Sequence, residues 1–339
     1  MRIGFNPNKD KENSASDFFH QVIVPVYIPN SEGYFKDSLQ IFRYCLESLF
    51  KTCHDKTYFT IVNNGSGVEV IAYINRLYEE GKVHEIIHTT EIGKLNAILK
   101  GISGQKFELI TITDADVLFL NNWQKETYAV FDNFPKAGAV CPTPSSKVLK
   151  QYTFNVLLEC FFSDKLRFTP TKNREALVKF AESIGNPNFY NNDQLSYNLS
   201  IANENCKAVI GAGHFVTTYK GVVFNNATER YSKFSLGGDS ETKLLDEPVA
   251  NQGYWRLSTE DNFTYHMGNV TEPWMEEYMA QLKNESTVEV TAPKLETKKK
   301  AGFLNNVKKM LFSKIITKQP IWNWFLQYKG LSKEAAKNY

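Results

Sequence analysis

Four apolar runs alternate with three segments of helical spacing across the first 120 residues, and this alternation restricts the fold more than any other feature. HQVIVPVY (20–27) reads as a first buried strand. In SLQIFRYCLESLFKTC (38–53), Leu39, Phe42, Leu46, Leu49 and Phe50 recur at helical spacing, and Ser38 is suited to cap the start. YFTIV (58–62) predicts a second strand ending in the turn-like NNGSG, and residues 68–80 a second helix. HEIIHTT (84–90) predicts a third strand, GKLNAILKG (93–101) a short third helix, and ELITITDADVLFL a fourth strand. The order β-α-β-α-β-α-β argues for a parallel sheet with helices on its faces. Strands covered on both faces read as near-continuous apolar runs, as these do.

The fourth run carries Asp114 and Asp116 at its end, in ITITDADVLFL. Carboxylates are costly to bury, so their place in a core strand needs a reason. In open α/β sheets ligands gather outside the carboxyl ends of the strands. In an extended segment residues i and i+2 point the same way, so both carboxylates are expected to converge on one site. Their repulsion would be relieved by a divalent cation, Mg²⁺ or Mn²⁺, of the kind commonly shared with substrate phosphates. The alternative is a strand-end turn whose aspartates cap neighbouring N–H groups.

IVPVYIPN (23–30), IVNNGSG (61–67), GKLNAILKG (93–101) and ITDADV (112–117) together resemble the nucleotide-sugar half of GT-A-fold glycosyltransferases, most closely family two. The resemblance implies an α/β fold of Rossmann-like type: a mostly parallel central sheet with helices on both faces. It implies a nucleotide-diphosphate sugar as donor, a Mn²⁺ or Mg²⁺ ion, and a glycan or lipid-linked saccharide as acceptor, as in cell-surface polysaccharide synthesis. It places the nucleoside and diphosphate against Pro25, Tyr27, Asn63, Asn64, Lys94 and Asp114, and the metal on Asp114 and Asp116. Family members often carry an aspartate where this chain has Asn63 and Asn64, and an asparagine brings a donor as well as an acceptor. GT-A enzymes also often use a late histidine as a metal ligand, which implicates His266 in YHMGNVTEPW (265–274). That segment also resembles the His-x-x-Gly-x-x-Lys-Pro-Trp motif of a retaining family, with Glu272 at the lysine.

An inverting transferase needs a carboxylate base for the acceptor hydroxyl. GGDSE (237–241) offers Asp239 as first candidate, with Glu241 beside it. Asp261 in STEDN and Asp193 in NNDQ compete, and either reads equally as a cap or turn. The resemblance puts His214 in GAGHF among acceptor-side residues, and a satisfied core histidine is an equal reading. A sugar nucleotidyltransferase would carry a Gly-rich basic signature directly after the first strand, which IVPVYIPNSEGYF lacks. A non-catalytic nucleotide- or glycan-binding module of the same fold is the other alternative.

Beyond residue 120 the expectations are coarser. VLKQYTFNVLLECFF and EALVKFAESIG look helical, and CKAVIGAGHFVTTYKGVVF looks like two strands around a Gly-rich turn. The GT-A domain is expected over 1–282, with the nucleotide-sugar half at about 20–120 and the acceptor-side half at about 121–282. Residues 283–297 read as a linker and 298–339 as a basic, amphipathic and aromatic tail. From Lys294 to Tyr339 there are 11 Lys, no Arg and 2 Glu, a net of +9; with +2 for the whole chain, residues 1–293 carry −7. A basic tail on an acidic body suggests an anionic partner, and its aromatic, amphipathic pattern suggests a membrane surface over a merely docked helix. No nucleic acid is expected. Five scattered cysteines without a CxxC pair, and a polar N-terminus, fit a cytoplasmic protein held peripherally on the membrane's cytoplasmic face.

Overall fold

His20–Val26 (β1) is buried along its whole length, and its alternating side chains serve two layers. Val22, Val24 and Val26 share a core with Phe42 and Leu46 of α1 (Ser38–Thr52) and with Val70 and Ile74 of α2 (Val68–Glu79). Ile23 points to the other face, into a core with Leu95 and Ile98 of α3 (Lys94–Ile102). Period-two alternation of strand side chains is what makes a doubly covered sheet. β2 (Thr57–Asn64), β3 (Glu85–Thr89) and β4 (Leu109–Thr113) complete a parallel set in the order β3-β2-β1-β4. The expected parallel sheet with helices on both faces is borne out here. The structure, a computed structural model, describes residues 3–12, 16–226, 230–238, 240–288, 290–296 and 303–339.

The remaining strands are β5 (Val117–Phe119), β6 (Ala137–Cys141), β7 (Leu166–Pro170), β8 (Tyr197–Ala202), β9 (Lys207–Ile210), β10 (Val216–Lys220), β11 (Trp255–Thr259) and β12 (Thr264–His266). Among them lie α4 (Trp123–Asn133), α5 (Phe154–Glu159), α6 (Arg174–Ser183), α7 (Asn192–Ser196) and α8 (Glu247–Asn251), followed by α9 (Pro273–Gln281). The central sheet runs β3-β2-β1-β4-β10-β6-β11-β9-β8-β7. Its pairings make β7, β9 and β10 run against the other seven strands. β9 and β10 do form around a Gly-rich turn, yet they are not neighbours, because β6 and β11 stand between them. Their connection therefore crosses the sheet, from the Gly211 N–H, which donates to Arg256 O at 2.9 Å, to Phe215 O, which accepts from the Asp114 N–H at 2.7 Å.

The fourth strand is shorter than its apolar run predicts. β4 stops at Thr113, the chain turns through Ala115 and Asp116, and it becomes extended again as β5. β5 pairs with β12 in a separate two-stranded sheet, with His266 opposite Val117. The two aspartates thus occupy the joint between two sheets rather than a straight strand.

The C-terminal tail folds as α10 (Phe303–Ile316), α11 (Gln319–Tyr328) and α12 (Lys333–Asn338). Trp322, Phe325, Leu326 and Ala336 enter one core with Phe131 of α4, Leu157 of α5 and Leu257 of β11. Full burial of side chains this large contributes roughly 1.5–3 kcal/mol each. The tail is seated on the body at this face. No helix among the described residues is long and apolar enough to cross a membrane.

Candidate active site

Gly93 opens α3 in a conformation only glycine adopts freely, with φ at +87°. A Cβ there would lie 2.9 Å from Ser235 Cα, so glycine also lets residues 234–235 cross directly over the helix start. The Lys94 N–H donates to Ser235 O at 2.9 Å. Asn96 fixes the same crossing, donating to Ser232 O at 2.8 Å and accepting from the Ser232 N–H at 2.8 Å. This clasp sets the direction of the Lys94 side chain. Its Nζ lies 2.6 Å from Asp114 Oδ1 and 3.0 Å from Glu241 Oε1.

The charges continue inward from Glu241. His214 stands between two carboxylates, with Nδ1 3.6 Å from Glu241 Oε2 and Nε2 2.7 Å from Asp246 Oδ2. Asp246 Oδ1 pairs with Arg256 Nη2 at 2.6 Å, and both side chains are essentially inaccessible. Arg256 also donates to Gln151 O at 2.6 Å and Ala212 O at 2.7 Å. Thr242–Asp246 is a π-helical turn. Its i to i+5 bonding brings Glu241 and Asp246, five residues apart, onto one side facing His214. Such turns are rare and recur at functional sites.

Burial alone would lower the affinity of Lys94 for its proton, but the Asp114 and Glu241 carboxylates outweigh it and hold the ammonium firmly charged. For Glu241, burial pushes the carboxyl up, and the Lys94 charge and hydrogen bond more than reverse this, so it stays ionised.

Asp116 has different company. Its Oδ2 lies 3.4 Å from His266 Nε2, and its Oδ1 is buried with no hydrogen-bond partner. Burial raises the Asp116 carboxyl above the ordinary range, the His266 ring opposing and Asp114 adding to the shift. His266 is oriented through Nδ1 by Ser183 Oγ at 2.9 Å, and the Met267 N–H donates to Asp116 O at 2.8 Å. The turn at Ala115 explains why the carboxylates face different partners instead of converging. Among the described residues no three His, Cys, Asp or Glu side chains are grouped as a metal site. Asp116 and His266 do stand together, and the orphaned oxygen of Asp116 fits a hard cation whose remaining ligands come from substrate phosphate.

Just beyond the end of β1, Tyr27 is partly exposed, with its hydroxyl donating to Glu91 Oε2 at 3.2 Å. Pro25 is buried within β1 opposite Val62. Asn63 and Asn64 are buried and use their amides on neighbouring protein groups. Asn63 accepts from the Ser66 N–H at 2.9 Å and meets His88 Nδ1 at 3.0 Å, while Asn64 accepts from the Ile92 N–H at 2.8 Å. Pro25, Asn63 and Asn64 thus support the ends of β1 and β2 and the turn at 64–67 from within. A cavity of about 1300 Å³ lies against the 230–235 segment; Glu91 lines it, but Lys94, Asp114, Asp116, Glu241 and His266 do not.

Asp239 lies outside the described residues. Asp261 stands 3.7 Å from Lys172, and Asp193, in the first turn of α7, accepts from Asn338 at 3.2 Å; neither joins the charged chain. His214 does join it. Asp246 and Arg256, which no motif marks, were invisible to sequence reasoning; the nearest signal was the acidic spacing of DSETKLLDE.

Residues 22–184 match the sequence profile of glycosyl transferase family 2. No curated protein matches the chain. Among solved structures, Staphylococcus aureus TarS residues 1–349 aligns at 12% identity and a TM-score of 0.44, covering 78% of this chain and 70% of that one. A second S. aureus TarS structure is covered over only 38% of its chain, at 12% identity and a TM-score of 0.43 over 78% of this chain. The mannosyltransferase PcManGT from Pyrobaculum calidifontis, in complex with GDP-Man and Mn²⁺, aligns at 16% identity and a TM-score of 0.44, over 94% of this chain and 73% of that one. The family 2 match over residues 22–184, just under half of the chain, supports a glycosyltransferase.

Proposed function

We propose that the protein moves a sugar from a nucleotide-diphosphate sugar to a hydroxyl of a glycan or lipid-linked saccharide, in metal-dependent, inverting chemistry. The observation that carries this reading is the unpartnered, buried Oδ1 of Asp116 beside His266, at the carboxyl edge of β4. Asp116 and His266 would hold the cation, with Asp114 available once Lys94 turns to the diphosphate. A bound Mn²⁺ or Mg²⁺ would supply Lewis-acid stabilisation of the leaving diphosphate. Lys94, held protonated by its surroundings, adds positive charge near that group. Asp239 is the proposed base, taking the hydroxyl proton as the acceptor oxygen attacks the anomeric carbon and the nucleoside diphosphate departs. Glu241, anchored by Lys94 and His214, fixes the chain two residues beyond it.

The test is release of nucleoside diphosphate from a panel of nucleotide sugars, with saccharide acceptors, in Mn²⁺ or in chelator. Metal-dependent release from at least one donor is expected. Retained nucleotide binding with no turnover on any donor would favour a binding module instead. Asp239→Asn should cut turnover at least 100-fold with donor affinity preserved; wild-type rates would remove Asp239 as base.

A further inference from the structure

The seated tail carries large aromatic and aliphatic side chains on its outer side. Trp324 and Tyr328, one turn apart on α11, stack with ring centroids 5.5 Å apart and planes 8° from parallel, yet they are 52% and 46% exposed. The body adds to them. Phe161, after α5, contacts Trp324, Tyr328 and Phe312 of α10, and its neighbour Phe162 projects outward at 83% exposure. On α10, Leu311 and Ile315 lie one turn apart and are each about half exposed. The same tail is cationic: its described part, 303–339, has seven Lys, no Arg and one Glu, and Lys308, Lys314 and Lys318, on and just after α10, are exposed.

We propose that this composite face, Phe162 with Trp324, Tyr328, Leu311 and Ile315, is the surface by which the protein lies on an anionic lipid bilayer. The charge pattern selects lipid over protein. Protein interfaces are enriched in Arg and depleted in Lys, the reverse of this tail. Trp and Tyr favour the headgroup level, where an apolar ring meets water, and Lys side chains reach past apolar neighbours to anionic headgroups. Docking of the tail and binding of a membrane are therefore compatible: the inner face of α11 holds the tail to the body while its outer face meets the lipid. Phe162 extends the surface onto the body, so the tail sequence does not contain all of it. The proposal stands apart from the donor-site chemistry.

The experiment is co-sedimentation of the full chain with vesicles of phosphatidylcholine alone or mixed with phosphatidylglycerol. Binding to the mixed vesicles at least tenfold above neutral ones, weakened by salt, is expected. Phe162→Ser and Trp324→Ser, both at exposed positions, should together reduce binding at least fivefold while thermal melting and sugar transfer to a soluble acceptor persist. Absence of binding to anionic vesicles overturns the proposal, as does binding indifferent to both substitutions. So does a dimer that the substitutions convert to monomer without any vesicle binding, since the face would then pair with a second copy.

Discussion

The β1–β4 strand pair carries a polar cluster near each end, and the two differ in almost every physical respect. At the carboxyl end stand Lys94, Asp114, Glu241 and His214, charged or flanked by charge, with side chains 19–24% exposed, and beside them the unpartnered oxygen of Asp116. Toward the amino end, His20, His54, Gln124 and Tyr128 form a sealed neutral knot. His20 Nε2 lies 2.7 Å from Thr111 Oγ1, and Gln124 donates to His20 Nδ1 at 3.0 Å. The Tyr128 hydroxyl bridges His20 Nδ1 at 2.5 Å and His54 Nε2 at 2.8 Å, and the Lys56 N–H donates to His54 Nδ1 at 3.1 Å. One proton arrangement fits the set: each histidine neutral with its proton on Nε2, the tyrosine accepting from His54 and donating to His20, and the His20 Nδ1 lone pair shared between Tyr128 and Gln124. A closed network of this kind rigidifies a core, whereas an open one with a spare carboxylate oxygen invites a ligand. Polarity alone does not mark function; access and an unmet valence do.

The largest effect expected inside this comparison is from Arg256→Met. It leaves the Asp246 carboxylate, 1% exposed, with His214 but without its guanidinium, and breaking a buried pair of this kind typically costs about 3–5 kcal/mol. Urea unfolding measures the loss, and turnover should fall too, because His214 and Glu241 lose their support. Acid should then separate the two clusters. Burial holds His54 down from 6.5 to about 4, and burial with the nearby His54 charge holds His20 well below 6.5. The unfolded chain therefore takes up these protons first. Stability is whole above about pH 6.5 and declines as pH falls toward about 4, by roughly 3 kcal/mol for His54 alone. Chemical denaturation across that window checks this, and a flat profile would contradict it. Tyr128→Phe should cost about 1–3 kcal/mol by leaving the His54 N–H without an acceptor. Turnover of the folded variant should match wild type; a matching loss of turnover would dissolve the distinction between the two clusters.

The parallel half was legible almost to the residue. The helix read at 38–53 is α1 at Ser38–Thr52, and the strand read at 84–90 is β3 at Glu85–Thr89. Doubly buried strands and one-faced helices write themselves as local periodicity, so distance along the chain suffices. The other half depends on contacts that no local pattern encodes. Insertion of β10 between β4 and β6, and the crossing of residues 211–215, are long-range pairings. The same limit governs the site. ITITDADV marked Asp114 and Asp116 correctly as strand-edge carboxylates, but its smooth hydropathy concealed the turn that sends one to Lys94 and the other to His266. Asp246 and Arg256 were hidden for the further reason that their pairing needs the π turn and β11 brought together.

The most direct test of the account is metal-titrated turnover of Asp116→Asn beside wild type, on whichever donor the panel identifies. Asparagine preserves shape and removes the charge and the spare valence, so folding stability should change by less than about 1 kcal/mol. The account predicts wild-type release of nucleoside diphosphate that rises with Mn²⁺ and vanishes in chelator, and a loss of at least about 100-fold in the variant, equal to about 2.7 kcal/mol. Undiminished turnover by Asp116→Asn, or wild-type turnover unaffected by chelator, would contradict it.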